Sequence, residues 1–224
     1  MEDSICALAR SKQCVIVGDQ QQLPPSNQFN ANTDDDEDEE NDLVEESILD
    51  LANSRFKANR MLKWHYRSRH QSLIDFSNHH FYQNQLIIPP SPVTTSAVTT
   101  SKVEAYYKGK INIQEKDKLI KDLIPFMSAN IRKGDGDKKS KSCLIVTMNI
   151  FQAESIEDDL NKRKLEHPII EEYENSWKDT GEEFTVKNLE SVQGDERDVI
   201  FISTIFGPEG PGMKTKQTFG PINN

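Results

Sequence analysis

The most constraining feature of this sequence is a short apolar run near its end, Val199-Ile200-Phe201-Ile202, which polar residues bound on both sides. Such a run predicts a strand that is buried on both faces of a parallel sheet. The polar stretch before it carries Gly194, where the backbone can approach a ligand closely. Charged residues beside the end of a buried strand are typical of the crevice in which α/β sheets bind nucleotides.

Strand-like and helix-like segments alternate along the chain. Apolar runs and turn signals predict strands at residues 14–17, 61–66, 103–107, 143–147, 184–188 and 199–205. Helical spacing predicts helices at residues 2–10, 47–53, 112–131 and 150–164, and another after Ser68 with a buried face of Leu73, Ile74, Phe76 and Phe81. Residues 165–182 are polar and poorly periodic. This alternation predicts an α/β fold with a mainly parallel sheet flanked by helices.

The net charge of −10 is concentrated in one segment. Residues 34–46 hold ten acidic side chains and no basic one, so the rest of the chain is balanced. Like charges at this density repel one another, and we expect a mobile, solvated insertion over residues 26–42. Whole-chain acidity therefore does not argue against a nucleic-acid partner, because basic patches remain possible elsewhere.

Composition excludes several classes of protein. No apolar run approaches the length of a membrane span, and the N-terminus lacks a signal-peptide pattern. The cysteines number three and lack CxxC spacing, which indicates reduced thiols. We expect a cytoplasmic protein, or a nuclear one in a eukaryote, that does not contact membranes.

Three stretches of the sequence have the form of functional motifs. They read Gly18-Asp19-x-x-Gln22-Leu23-Pro24-Pro25, His65-Tyr66-Arg67-Ser68 and Gln193-Gly194-x-Glu196-x-Asp198. In this order they resemble motifs of superfamily 1 helicases, in the branch related to the RNA-decay helicases. Supporting pieces are Leu73-Ile74-x-Phe76-Ser77-Asn78 with Phe81-Tyr82, and Val146-Thr147 with Gln152.

The resemblance implies a RecA-like fold of the P-loop NTPase type in truncated form. Residues 1–54 correspond to the end of a first RecA-like domain with the acidic insertion, and residues 55–224 to most of a second. The phosphate-binding pattern G-x-x-x-x-G-K-[ST] does not occur, and Gly207 to Thr215 departs from it because Met213 separates Gly212 from Lys214. We therefore expect a piece of a helicase that begins after the metal-binding motif and hydrolyses no ATP by itself.

The same resemblance implies which residues contact ATP with Mg²⁺, bound mainly by the missing first domain. Gln22 and Arg67 are the catalytic candidates: Gln22 for the γ-phosphate or the attacking water, and Arg67 as an arginine finger inserted into the first domain. The nucleotide-binding candidates are Asp19, Gly194, Glu196 and Arg197. For Arg197 the sequence leaves open a structural pair with Asp198 or a phosphate contact, and Gln22 could also be an ordinary loop amide.

Single-stranded DNA or RNA is the implied partner, together with the first RecA-like domain of the same parent chain. Its candidate contacts are Thr147, Gln152 and Ser191. No metal site is expected, since His79 and His80 are adjacent on a helix and point apart.

Two other interpretations remain open at this stage. One is a non-catalytic, helicase-like module that binds nucleic acid or protein. The other is a dinucleotide-binding oxidoreductase, which the absence of G-x-G-x-x-G after any predicted strand disfavours.

Overall fold

The chain forms two compact units, Met1–Thr100 and Ser101–Asn224. The computed structural model describes residues 2–22, 48–57, 59–90 and 96–215. The predicted acidic insertion and the Leu23-Pro24-Pro25 part of the first motif lie outside these ranges. The predicted domain boundary between residues 54 and 55 stays a prediction.

The first unit consists of short helices joined by extended chain. Its helices are α1 (Glu2–Ala9), α2 (Ile48–Arg55) and α3 (Asp75–His80), and a 3₁₀ turn at Gln71–Leu73 precedes α3. Extended chain at Trp64 runs parallel to Ile87, where the N–H of His65 bonds the carbonyl of Ile87 at 3.0 Å. Buried Asn78 of α3 accepts from the N–H of Leu86 at 3.0 Å, which ties this returning chain to the helix.

Three predictions for this unit are wrong. Residues 14–17 form no strand, and the side chains of Val15 and Val17 are 80% and 74% exposed. The segment at 61–66 contributes only the bridge to Ile87, and Leu73, Phe76 and Phe81 are exposed rather than buried. A strand exists only through hydrogen bonds to a neighbour, so an apolar run by itself does not determine one.

The second unit contains the sheet. Its elements in chain order are α4 (Ile113–Ala129), β1 (Cys143–Thr147), α5 (Ile150–Arg163), α6 (Ile169–Ser176), β2 (Val186–Asn188) and β3 (Val199–Ser203). Among the described residues the sheet has three strands in the order β2-β1-β3, and both pairs are parallel. Ile145 of β1 lies opposite Val186 of β2 and Phe201 of β3.

The helices begin where side chains cap them. Asn112 accepts from the N–H of Glu115 and starts α4, and Asn149 accepts from the N–H of Gln152 and starts α5. Both helices bury apolar faces on the sheet. Helix α6 and the residue after it add three more buried side chains, Ile170, Tyr173 and Trp177. The core of this unit therefore lies between the sheet and its helices.

The structure confirms the predicted α/β fold class, a parallel sheet flanked by helices that is consistent with a RecA-like fold. Residues 143–147 form a strand as predicted, while the later two strands are shorter, at 186–188 and 199–203. The prediction of a strand at 103–107 is wrong. These residues form no strand, and the pairing nearest to them is the bridge between Lys108 and Ile111. The sequence does not predict α6, because charged residues surround the apolar Ile170, Tyr173 and Trp177 of this segment.

None of the helices in the described ranges combines the length and the apolar character that crossing a bilayer requires.

Candidate functional site

Asp19 and Gln22 lie together in a tight turn of the first unit. The backbone carbonyl of Asp19 accepts from the N–H of Gln22 at 3.3 Å, and its carboxylate accepts from the N–H of Gln21 at 3.0 Å. This is the local hydrogen bonding that makes aspartate favourable in turns. Asp19 Oδ2 also accepts from Nε2 of Gln22 at 3.1 Å, so the two predicted residues contact each other directly.

A third side chain completes this cluster. The hydroxyl of Tyr82, which follows α3, donates to Asp19 Oδ2 at 2.6 Å. Partial burial raises the pKa of Asp19, but the hydrogen bonds from Tyr82, Gln21 and Gln22 outweigh it, and the pKa lies below its ordinary value. Burial, together with Asp19, raises the pKa of Tyr82 to about 12. The carboxylate is therefore ionised and the phenol protonated at neutral pH.

Helix α2 holds the other side of this turn. A Cβ at Gly18 would lie 2.9 Å from Leu49 Cδ2, so the helix approaches the backbone closely at this point. Nε2 of Gln20 donates to Asp50 of the same helix at 2.7 Å. The closeness of Leu49 explains why a residue without a side chain stands before Asp19.

Arg67 lies in a turn between two hydrogen-bonded residues. Nε2 of His65 accepts from the N–H of Ser68 at 3.2 Å and lies 2.7 Å from the hydroxyl of Ser68. Because Nε2 accepts from the backbone, the proton of the neutral imidazole is on Nδ1. The side chain of Arg67 is exposed, and its predicted role as an arginine finger stays a prediction.

In the second unit, the carboxyl ends of the three strands form one polar edge. Thr147, Asn188 and Ser203 end β1, β2 and β3, and the register places Thr147 opposite both of the others. All three side chains are buried. Ligands of open α/β sheets bind at this edge, outside the carboxyl ends of the strands.

Two predicted nucleic-acid contacts lie inside this edge. Thr147 is completely buried, and its hydroxyl donates to the carbonyl of Asn149 at 2.6 Å. Gln152 is also completely buried, and its Nε2 lies 3.3 Å from the hydroxyl of Ser203. Both side chains are bonded within the protein, and their predicted contact with nucleic acid stays a prediction.

Ser191 and Gly194 lie on the loop between β2 and β3. The hydroxyl of Ser191 donates to the carbonyl of Asn188 at 3.1 Å and also contacts its side-chain oxygen, so the loop is tied to the strand end. Gly194 has φ of 90°, and no heavy atom lies within 4 Å of a Cβ built on it. The space beside the backbone at Gly194 is therefore open, and the predicted approach of a ligand there stays a prediction. An ion pair of Lys187 with Asp195 fixes the loop beyond it.

Arg197 is turned toward the protein backbone. Its Nε and Nη2 both donate to the carbonyl of Glu183, at 3.0 and 2.7 Å, and Nη1 donates to the carbonyl of Glu196 at 2.7 Å. Asp198 instead accepts from the N–H of Ser142 at 3.2 Å, at the start of β1. These contacts favour a structural role for Arg197 over a phosphate contact, whereas Glu196 is exposed on the loop surface.

Several residues of these clusters have no role that the sequence alone predicts. Tyr82 stands in the sequence only as part of the Phe81-Tyr82 pair. Asn112 and Glu115 carry a recognisable signal, a capping residue followed three positions later by glutamate. Glu115 accepts from the N–H of Thr204 at 2.8 Å just beyond β3, and burial raises its pKa.

Within the described part of the chain, no three His, Cys, Asp or Glu side chains converge to hold a metal ion.

Comparison with known proteins points to helicases. The chain is 30% identical to a protein of Mycoplasma genitalium described as an uncharacterized ATP-dependent helicase, and 30% identical to its homologue in Mycoplasma pneumoniae. Both alignments cover 100% of this chain and 20% of the relative, so the chain spans about a fifth of the length of these proteins. No family model and no solved structure matches the chain. This similarity supports a helicase relationship.

Proposed function

We propose that this chain is part of an ATP-dependent nucleic-acid helicase or translocase of superfamily 1, in the branch related to the RNA-decay helicases. The parent polypeptide closes two RecA-like domains around ATP and converts closure into steps along a single strand. The helicase relationship of the chain and its three ordered motifs support this proposal. A cytoplasmic location, or a nuclear one in a eukaryote, belongs to the same proposal.

The observation that carries the proposal is the edge formed by Thr147, Asn188 and Ser203 with the open backbone at Gly194 beside it. A buried polar edge at the carboxyl ends of parallel strands is where this class of fold binds its ligand. The loop is fixed at Ser191 and at Asp195, so Gly194 is presented on a rigid support. In the proposed site Gly194 and Glu196 face the sugar of the nucleotide.

Within the first unit, Asp19 and Gln22 are the candidates for the γ-phosphate of ATP. When bound, ATP would supply the phosphoryl group, and its Mg²⁺ would neutralise the charge that develops on it. Gln22 orients the attacking water, and Asp19 fixes the amide of Gln22 through the 3.1 Å hydrogen bond. Arg67 provides the planar, permanently charged fork that suits a phosphate in the transition state.

Nucleic acid is proposed to bind near the carboxyl edge of the sheet. Ser191 lies on the exposed side of that edge, while Thr147 and Gln152 hold the first turn of α5 and the end of β3 in place. Arg197 supports the nucleotide loop through the carbonyl of Glu183. In this arrangement Thr147, Gln152 and Arg197 act through the backbone that they position.

The deciding experiment measures ATP hydrolysis by the longer polypeptide that carries this chain, with and without single-stranded RNA and DNA. Arg67→Ala is expected to lower turnover on the order of 10³–10⁵-fold, which is the usual effect of an arginine finger. Arg67→Lys is expected to be severely impaired as well, because it keeps the charge and loses the fork. Affinity for a fluorescent nucleotide should change much less, and exposed Arg60→Ala is the matched control.

Near-normal turnover in Arg67→Ala would refute the finger assignment.

The second candidate function is a non-catalytic helicase-like module that binds nucleic acid or protein. The internal bonding of Thr147, Gln152 and Arg197 favours it, because these side chains serve the fold. Nucleic-acid binding by the longer polypeptide without any hydrolysis identifies this second function.

A further inference from the structure

Resting on the proposed function, we propose that Tyr82 is a positioning residue for ATP hydrolysis, which holds Asp19 so that Asp19 fixes the amide of Gln22. The tyrosine hydroxyl and Nε2 of Gln22 both donate to the same oxygen, Asp19 Oδ2, at 2.6 and 3.1 Å. A displacement of the carboxylate therefore displaces the amide as well. Tyr82 acts through Asp19 and touches no reacting atom.

The orientation of the Gln22 amide follows from the chemistry of its partner. An ionised carboxylate only accepts hydrogen bonds, so the group that faces Asp19 must be the NH₂ of Gln22. The carbonyl oxygen Oε1 is then on the opposite branch of the amide. An acceptor in that position is what the orientation of an attacking water requires.

Tyr82 is itself held by α3 and by the chain that follows it. Its N–H bonds the carbonyl of Ser77 at 3.2 Å, and its own carbonyl accepts from the N–H of Gln85 at 2.9 Å. Gln83 and Asn84 adopt left-handed φ values of 53° and 59°, which make the turn tight. The hydroxyl thus contacts the turn at Asp19, which lies 63 residues earlier in the sequence.

Protonation states agree with this geometry across the working pH range. Burial and the charge of Asp19 raise the pKa of Tyr82 to about 12, so the phenol remains a donor. The hydrogen bonds lower the pKa of Asp19, so the carboxylate remains an acceptor at neutral pH. A short bond between a neutral donor and an anion belongs to the stronger class of hydrogen bonds.

The test is Tyr82→Phe in the longer polypeptide, which keeps the ring and removes the hydroxyl. Loss of one hydrogen bond to a charged group predicts a fall in kcat of about tenfold. The KM for ATP should change by less than about twofold, because the interaction acts on orientation rather than on ground-state binding. Partly exposed Tyr106→Phe is the matched control and is expected to leave kcat unchanged.

A double-mutant cycle separates positioning from a general structural role. In the Gln22→Ala background, Tyr82→Phe should have almost no further effect on kcat, since the residue that it positions is gone. If Tyr82→Phe lowers kcat by the same factor in the wild-type and Gln22→Ala backgrounds, the inference is overturned. It is also overturned if Gln22→Ala lowers kcat but Tyr82→Phe leaves it normal. A wild-type polypeptide that hydrolyses no ATP overturns the proposed function and this inference together.

A second variant covers the case in which Tyr82→Phe does not fold. A polyfluorinated tyrosine at position 82 keeps the shape and loses its proton at a much lower pH. The kcat of this variant should match wild type at low pH and fall as pH rises and the donor is lost. A pH profile identical to that of wild type overturns the inference.

Discussion

Gln152 makes two hydrogen bonds to the backbone of a single residue, Asn112. Its Oε1 accepts from the N–H of Asn112 at 2.9 Å, and its Nε2 donates to the carbonyl of Asn112 at 3.1 Å. The side chain of Asn112 in turn donates to the carbonyl of Ile205 at 3.2 Å. The starts of α4 and α5 and the chain after β3 are thereby joined at the carboxyl edge of the sheet.

Gln152→Ala is expected to lower the free energy of unfolding by about 2–3 kcal/mol. The change leaves the buried N–H of Asn112 without its partner and removes the bonds of Gln152 to the carbonyl of Asn112 and to the hydroxyl of Ser203. Unsatisfied buried groups are costly. Urea denaturation measures the loss. Exposed Gln114→Ala is the control and should change stability by less than about 0.5 kcal/mol. Equal stability of the two variants would contradict the structural role of Gln152.

Arg197→Lys is expected to destabilise the chain by about 1–2 kcal/mol. Lysine keeps the charge but cannot reproduce the fork that bonds the carbonyls of Glu183 and Glu196. The control is Arg163→Lys, whose surface ion pair with Asp159 contributes about 0.5 kcal/mol or less. If Arg197→Lys melts like wild type while the longer polypeptide loses affinity for ATP, the phosphate contact is the correct assignment.

Asp137→Asn is expected to reduce stability at neutral pH and to lose this effect in acid. The hydroxyl of Ser140 and then the N–H groups of Lys133, Lys139 and Ser140 hold the pKa of Asp137 well below its ordinary value of 3.8. A carboxyl with a depressed pKa contributes stability above its unfolded pKa and loses it as pH falls through the folded pKa. The deficit of the variant should therefore be constant above about pH 5 and shrink below pH 3.8.

Unfolding free energies of wild type and variant, measured from pH 7 down to pH 3, test this sign. Asp135→Asn is the matched control, because Asp135 lies in the same loop and its ion pair with Arg132 is fully exposed on the aspartate side. A deficit at Asp137 that grows as pH falls would show that the carboxylate destabilises the loop.

Cys143 is expected to resist thiol reagents that modify Cys6 and Cys14. Cys143 is completely buried, and burial raises the pKa of its thiol to about 12, whereas the other two cysteines are exposed. Because the thiolate is the reactive form, a thiol reagent at pH 7.5 should modify two cysteines per chain rapidly. The third cysteine should react only in denaturant. Three fast equivalents in the native chain would mean that β1 is open to solvent.

Much of the second unit could be predicted from local patterns. The run Cys143–Thr147, which is apolar up to its last residue, forms a strand at the predicted residues. The capped helices α4 and α5 begin within one residue of expectation. In these segments the pattern, the cap and the burial agree, which is the condition under which local prediction succeeds. Local patterns do not predict α6, because only two of its side chains, Ile170 and Tyr173, are buried, with Trp177 just after its end.

The direction of the functional side chains could not be predicted in the same way. Motif position suggested that Thr147 and Gln152 face a ligand, yet both are completely buried. A polar side chain at a strand end can point outward to a ligand or inward to another backbone. The choice depends on what closes the edge, and here Asn112 and Ser203 do so.

Local sequence patterns predicted the α/β architecture and singled out the glycine at 194. The contact of Tyr82 with Asp19, across 63 residues, and the contact of Arg197 with the carbonyl of Glu183 arise only on folding. Contacts of this kind are made by chain segments that approach one another only after folding. Their donors and acceptors are therefore paired by the packing of whole elements, which no local pattern contains.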